Sequence, residues 1–493
     1  MIVVVILLVP VVAALLVLVP LGRRWMSGVT VVASIANLVL TGALALDVVA
    51  GRLPRELHDG GWSRWIAIDG LSALILVLIA LVATTAAIYS VGYMEHGHLA
   101  VRKLRLYYAN YNLFVFSMLA IPSVAEPTLA WIVVELTTLC SALLVSFENT
   151  REALEAAWKY VVLSLMGAGI ALLGFLTLFA SMQAAGGGTY TWAGLVEVAP
   201  RMPPLLLQTS FLLILIGLGT KVGLVPMHTW LPDAHSQAPS PVCALLSGVE
   251  TTSILYVVLR MLPIIEAVPG AHAATWMLVL GLLSVGFSAF LLLQVHDYKR
   301  LFAFSTVEHM GIILTAVGLG ASAAGYGAMQ QVVNHSVTKS FCFFAAGAAL
   351  LAVRTRDIAS VRGLIRRSPV AGSALIFGGL AITGAPPLAV FMSEFAIIRA
   401  GLAQGKYVAT GLLAVFIVIA FFGIMIHLNR MVFGADDDGP GNERHEPETA
   451  KFSLPASCNV ALVLAAVPVL VLGVYVPEPL HRLIAMAAAT LTR

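Results

Sequence analysis

The chain has 493 residues, of which 60% are hydrophobic and 11% charged, with a formal net charge of +3; its mean hydropathy is +0.95. Soluble domains are roughly 45–50% apolar, so this composition excludes a soluble enzyme or a nucleic-acid binder and leaves an all-α polytopic membrane protein. Cys140, Cys243, Cys342 and Cys458 stand singly, without CxxC or Cys/His spacing, so no metal or redox centre is expected in this chain.

A spanning helix needs about 20 apolar residues, and about fourteen such stretches can be marked. They run over 2–21, 26–50, 66–91, 106–122, 127–147, 158–182, 205–225, 241–262, 273–294, 302–320, 325–351, 371–399, 407–433 and 455–475. The first, MIVVVILLVPVVAALLVLVP, lacks the basic start and small-residue cleavage site of a secretory signal and reads as a retained helix. An even count puts both termini on one side. Lysine and arginine crowd the loops after odd helices, among them Arg23, Arg24, Arg102, Lys103, Lys299, Arg300, Arg366 and Arg367. The positive-inside rule then turns both termini away from the cytoplasm of an inner membrane. The longest polar stretch, GADDDGPGNERHEPETAKF, is expected to be a solvated cytoplasmic loop.

Two helices are interrupted. In the seventh, Gly217, Gly219, Gly223 and Pro226 surround Lys221; in the twelfth, Gly384, Pro386 and Pro387 precede Glu394. Broken helices in matching positions point to an inverted-repeat transporter with its site near the midplane. Lys159 before the first break and Lys339 before the second support the match. The segments are then a three-helix start (1–105), two inverted five-helix repeats (106–262 and 273–433), the acidic loop (434–454) and a final helix with its tail (455–493).

Glu135, Lys221, Glu250, Lys339 and Glu394 lie inside apolar stretches, where a charge costs roughly 2.5–3.5 kcal/mol and is rarely left without a partner or a task. Together they suggest a path for charge. A desolvated lysine keeps or releases its proton as a carboxylate approaches or withdraws, and Glu135 with Lys221 are the natural pair; the competing reading is a static ion pair. His335 and Lys339 are four apart on one helical face and suit a proton relay. Glu308 and His309 fall near the predicted cytoplasmic end of the tenth helix, where interface anchoring competes with proton uptake. Glu250 sits deeper, among Thr251, Thr252 and Ser253. The stretch MHTWLPDAHSQAPSP brings His228, Asp233 and His235 after the first break, either as a cytoplasmic feed or as an elbow with Trp230 anchored at the interface. His228 and His235 have no further ligand cluster nearby and are not expected to bind metal.

KVGLVPMHTWLPDAHSQAPSPVCALLSG, STVEHMG and NHSVTKS resemble the antiporter-like, proton-conducting subunits shared by respiratory complex I, membrane-bound hydrogenases and Mrp-type antiporters. The wording SPVCALLSGV and STVEHMG is nearer to the F-type subunit of hydrogenase-four and formate hydrogenlyase complexes. The resemblance spans helices 4 to 13. It implies two inverted repeats and protons moving through Glu135, Lys221, His335, Lys339 and Glu394; the reading of the residues themselves adds Glu250 to that path and places Lys159, His228, Asp233, His235, Thr252, Glu308 and His309 in uptake or support. Complex I relatives carry a lysine in helix 8, whereas SGVETTSILY places Thr252 there with Glu250 two residues earlier. Either Glu250 and water replace it, or the link between half-channels is altered. The chain also ends soon after helix 14, so the long lateral helix of the largest complex I relative is not expected.

The resulting reading is a proton-translocating subunit of a redox-driven complex, with no catalytic centre or cofactor of its own. Nickel–iron and iron–sulfur centres would belong to partner subunits, and the partners are other membrane subunits and the lipid bilayer. An Mrp-type sodium/proton antiporter subunit, a complex I NADH-quinone oxidoreductase subunit and a scaffold or quinone-site subunit remain the alternatives.

Overall fold

A bilayer offers no water to satisfy peptide groups, so a chain this apolar must close its backbone hydrogen bonds within helices. The computed structural model describes residues 2–52, 65–96, 100–320, 322–435 and 452–491. No strand occurs among the described residues beyond the isolated bridges Ile66 to Val124 and Asp297 to Asp357. The helices are α1 Ile2–Val17, α2 Arg23–Val49, α3 Gly70–Glu95, α4 Val101–Ala120, α5 Pro127–Val145 and α6 Arg151–Ala184. The seventh is α7a Pro204–Val222 and α7b Trp230–Gln237, followed by α8 Ser240–Ile265, α9 Ala273–Leu292, α10 Tyr298–Gly318 and α11 Ser322–Val353. Then come α12a Pro369–Ile382, α12b Ala389–Ala403, α13 Tyr407–Phe433, α14 Ala456–Val474 and α15 Glu478–Thr490. Eleven helices among the described residues are long and apolar enough to cross a membrane; α1 and α12a are apolar but shorter.

α8 occupies the centre, its whole apolar window buried, while α2 and α13 leave two thirds of theirs outward. Small residues let helices meet closely where side chains would hold them apart. A β-carbon at Gly167 on α6 would clash with the Gly217 carbonyl of α7a, and one at Gly281 on α9 with the Gly311 carbonyl of α10. α6 packs along α7a and α9 along α10 through these contacts. α3 joins the halves: Tyr89 donates to the Phe344 carbonyl on α11 (2.9 Å), and the α3 N-cap Asp69 receives both Arg260 guanidinium nitrogens from α8.

Three sequence expectations change. α10 begins at Tyr298 rather than 302, so Glu308 and His309 fall at mid-helix, both buried, and not at an interface. Lys299, expected in a loop, is 1% exposed inside α10. α15, read only as a tail, packs on α3 and α11, with Tyr326 and His481 hydrogen-bonded (2.7 Å). Residues 436–451 of the expected acidic loop, with Arg444 and Lys451, lie outside the described residues, as do Arg55, Arg64 and Arg493.

Candidate functional site

Both broken helices open where the sequence loosens them, and each break is held by a ring nitrogen. α7a ends at Val222 with Gly223 in the left-handed region (φ 88°), and the Trp230 indole donates to the Thr220 carbonyl (2.8 Å). Trp230 is fully buried and so is not an interface anchor. α12a ends at Ile382, whose carbonyl takes a bond from His309 Nε2 (2.9 Å). A β-carbon at Gly384 (φ 69°) would collide with Oε2 of Glu394, so the carboxylate folds back against the break.

Lys221, 2% exposed, leaves α7a and docks its ammonium on α5. It donates to Thr137 Oγ1 (2.8 Å), to Thr138 Oγ1 and to the Val134 carbonyl. Glu135, one residue along, keeps both carboxylate oxygens buried without a hydrogen-bond partner. The expected pair is therefore adjacent but not joined. A second acid in this half, Glu250, is 1% exposed. Glu250 closes a π-helical turn, Leu246–Glu250, the kind of irregularity that collects at functional sites. Its Oε1 accepts from Tyr160 (3.0 Å) and Ser141 (3.3 Å). Thr252 is spent on the Gly248 carbonyl (2.9 Å) and offers no charge where relatives place lysine.

The second half repeats the docking. Lys339, fully buried on α11, donates to the Phe302 carbonyl (2.6 Å) and to Ser305 Oγ on α10. Glu308, three residues beyond Ser305 on α10, is buried, as is Glu394. His309 and His335 lie 5.3 Å apart; Gln331 donates to His309 Nδ1 (2.9 Å). Asn334 donates to the Ala389 carbonyl (2.6 Å) and Ser393 Oγ (2.9 Å) at the start of α12b. His335 Nε2 donates to the Ser247 carbonyl (3.1 Å), and Ser247 Oγ meets Thr306 (2.6 Å). Ser247 belongs to the π turn that ends at Glu250, so His335 connects the second cluster to the first.

The predicted feed gathers at one end. Lys159 is half exposed and pairs with Glu155 (2.8 Å) and Asp233 (3.2 Å), and Arg300 also pairs with Asp233. His235 is buried, donating from Nδ1 to the Leu231 carbonyl (2.8 Å), while its Nε2 has no partner; its ring lies beside that of Phe343 (5.5 Å). His228 is buried with Nδ1 unpartnered, beside Phe287 and Phe304. An open cleft of about 440 Å³ beside them is lined by Ser236, His296, Asp297 and Arg300. Tyr160, Ser141, Thr137, Thr138, Gln331 and Asn334 escaped sequence reading, because uncharged polar residues in apolar helices do not stand out. Among the described residues, no group of three His, Cys, Asp or Glu could hold a metal ion.

Residues 125–421 match the family described as NADH:quinone oxidoreductase/Mrp antiporter, transmembrane, and residues 64–101 the N-terminus of complex I chain 5. The chain is similar to a hydrogenase-4 component F homolog of Methylacidiphilum infernorum, 37% identical over 83% of this chain and 85% of that one. It is 27% identical to NADH-quinone oxidoreductase subunit N of Desulforudis audaxviator over 95% and 94% of the two. Its fold is similar to a chain of the membrane-bound sulfane sulfur reductase, an archaeal respiratory complex, with TM-score 0.86, 22% identity and coverage of 99% and 97%. A chain of the Mrp complex from Dietzia sp. DQ12-45-1b follows with TM-score 0.84, 19% identity and the same coverage.

Proposed function

The chain belongs to the NADH:quinone oxidoreductase/Mrp antiporter membrane family, and we propose that it is the proton-translocating subunit of a redox-driven complex of the hydrogenase-4 or formate hydrogenlyase kind. The observation that carries this reading is the pair of buried ammoniums, Lys221 and Lys339, each docked on a carbonyl and hydroxyl of a neighbouring helix. Glu250, which accepts from Tyr160, and Ser247, which meets His335 and Thr306, belong to the same π turn of α8. A helix-locking ion pair would join carboxylate to ammonium, whereas here Glu135 stays unpaired beside its lysine.

On this reading Glu135 and Glu250 hold or release the Lys221 charge, His335 and Lys339 relay, and Glu394 is the terminal acid at the second break, with Glu308 and His309 beside it. Lys159, Asp233, His228 and His235 line the uptake end. Fourteen spans, two inverted five-helix repeats, and the three-helix start and final helix around them belong to the same proposal. So does an inner membrane with both termini facing away from the cytoplasm; with Lys299 withdrawn into α10, the basic excess in loops after odd helices still favours that side. Redox centres would reside in partner subunits.

Inverted vesicles holding the assembled complex test it. Lys221→Ala or Glu135→Gln should abolish donor-driven acidification while the complex still assembles, and normal acidification in both variants sinks the proposal. A sodium-dependent pH change without an electron donor would favour a sodium/proton antiporter instead.

A further inference from the structure

Lys299 is a third buried ammonium, and the relay does not use it. It is 1% exposed and donates to the Ser236 carbonyl (3.0 Å) and the Ala238 carbonyl (2.5 Å), at the C-terminal end of α7b. Arg356 Nη1 donates to the same Ser236 carbonyl (2.5 Å). Asp297 stands beside them: its Oδ2 accepts from Ser236 Oγ (2.6 Å), and its Oδ1 caps α10 through the Lys299 and Arg300 amides. The open cleft lined by Ser236, Asp297 and Arg300 reaches this cluster.

Carbonyls at the end of a broken helix, with a carboxylate and a hydroxyl alongside, are hard oxygen ligands of the sort that bind sodium in transporters. Here tethered cations sit on those oxygens. We infer that the end of α7b is a monovalent-cation site filled by the Lys299 ammonium, so that Lys299 excludes sodium from the uptake cleft while side chains and water can still hand on protons. A fixed positive charge at a constriction is a general means of rejecting metal cations. This inference rests on the proton-translocating reading above.

The test compares the assembled complex in proteoliposomes as wild type, Lys299→Met and Lys299→Arg, measuring potential-driven uptake of radiolabelled sodium. Wild type and Lys299→Arg should stay at the protein-free background, and Lys299→Met, which keeps the stem and loses the charge, should rise on the order of tenfold above it. Background uptake by an assembled Lys299→Met complex overturns the inference and leaves the proton reading standing. Sodium uptake by the wild type overturns both. Should Lys299→Met fail to assemble, wild-type proton translocation in choline against sodium medium decides: equal rates support the filled site, and inhibition by sodium overturns it.

Discussion

Lys221 and Lys339 dock alike, yet their surroundings differ in kind. Around Lys221 stand hydroxyls, from Thr137, Thr138, Ser141 and Tyr160, with Glu250 held by two of them. Lys339 meets a single hydroxyl, Ser305 Oγ, and the cluster beyond it is built of imidazoles and amides, from His335, His309, Gln331 and Asn334. A hydroxyl can turn to donate or accept, while an amide has a fixed sense and an imidazole passes a proton between its two nitrogens. The first half is therefore adjustable around its ammonium. The second is pre-oriented, and its geometry is anchored on the break in α12 through His309 and Glu394.

The largest expected effect that separates the halves is at Glu250. If it supplies the charge that relatives place on helix 8, Glu250→Gln removes a buried charge whose loss costs about 3 kcal/mol. That is roughly a hundredfold loss of translocation, as severe as Lys221→Ala. Retained flux in vesicles would show that the first half runs on Glu135 alone. Next come the two breaks. Gly384→Ala meets both a left-handed backbone and the Glu394 carboxylate, so flux should fall about tenfold alongside a stability loss of roughly 1–2 kcal/mol. Gly223→Ala meets a left-handed backbone too, but its side-chain neighbour is Leu231 rather than a carboxylate, so it should cost similar stability with flux kept; equal flux losses would erase the distinction. Tyr160→Phe removes one donor from Glu250, worth about 1 kcal/mol, and should slow translocation roughly fivefold.

The smallest effect concerns the joint between the halves at Asp69 and Arg260. Burial opposes the Asp69 charge, but the Arg260 guanidinium and the Ser72 hydrogen bonds together outweigh it and hold the carboxyl below its ordinary value. A depressed carboxylate stabilises above its unfolded pKa and loses that contribution as pH falls through the folded one. Thermal midpoints of the wild type should hold near neutrality and drop below about pH 4, whereas Asp69→Asn should show a lower midpoint and less acid dependence. Identical profiles would remove the pair from the stability account.

Much of this was legible because charge in an apolar run is conspicuous. Glu135, Lys221, Glu250, Lys339 and Glu394 announced themselves, and Gly/Pro clusters marked both breaks. Lys299 was misplaced because hydropathy assigns a cation next to Arg300 to a loop, and only packing shows the α7b carbonyls that hold it. Glu135 and Lys221 were readable as neighbours but not as unbonded ones, since the hydroxyls competing for the ammonium sit three and four residues from the carbonyl that it also takes.

The π turn at Leu246–Glu250 also behaves as a one-residue insertion in the winding of α8. A regular α-helix advances about 100° per residue, so closing the turn by deleting one residue would swing everything before it, relative to everything after, by about that angle. With Arg260 clamped to Asp69 beyond the turn, the segment from Ser240 would rotate and carry Ser247 off His335. The missing lysine on this helix is thus a matter of phase as much as of composition: restoring the residue without resetting the winding would aim it at a different neighbour.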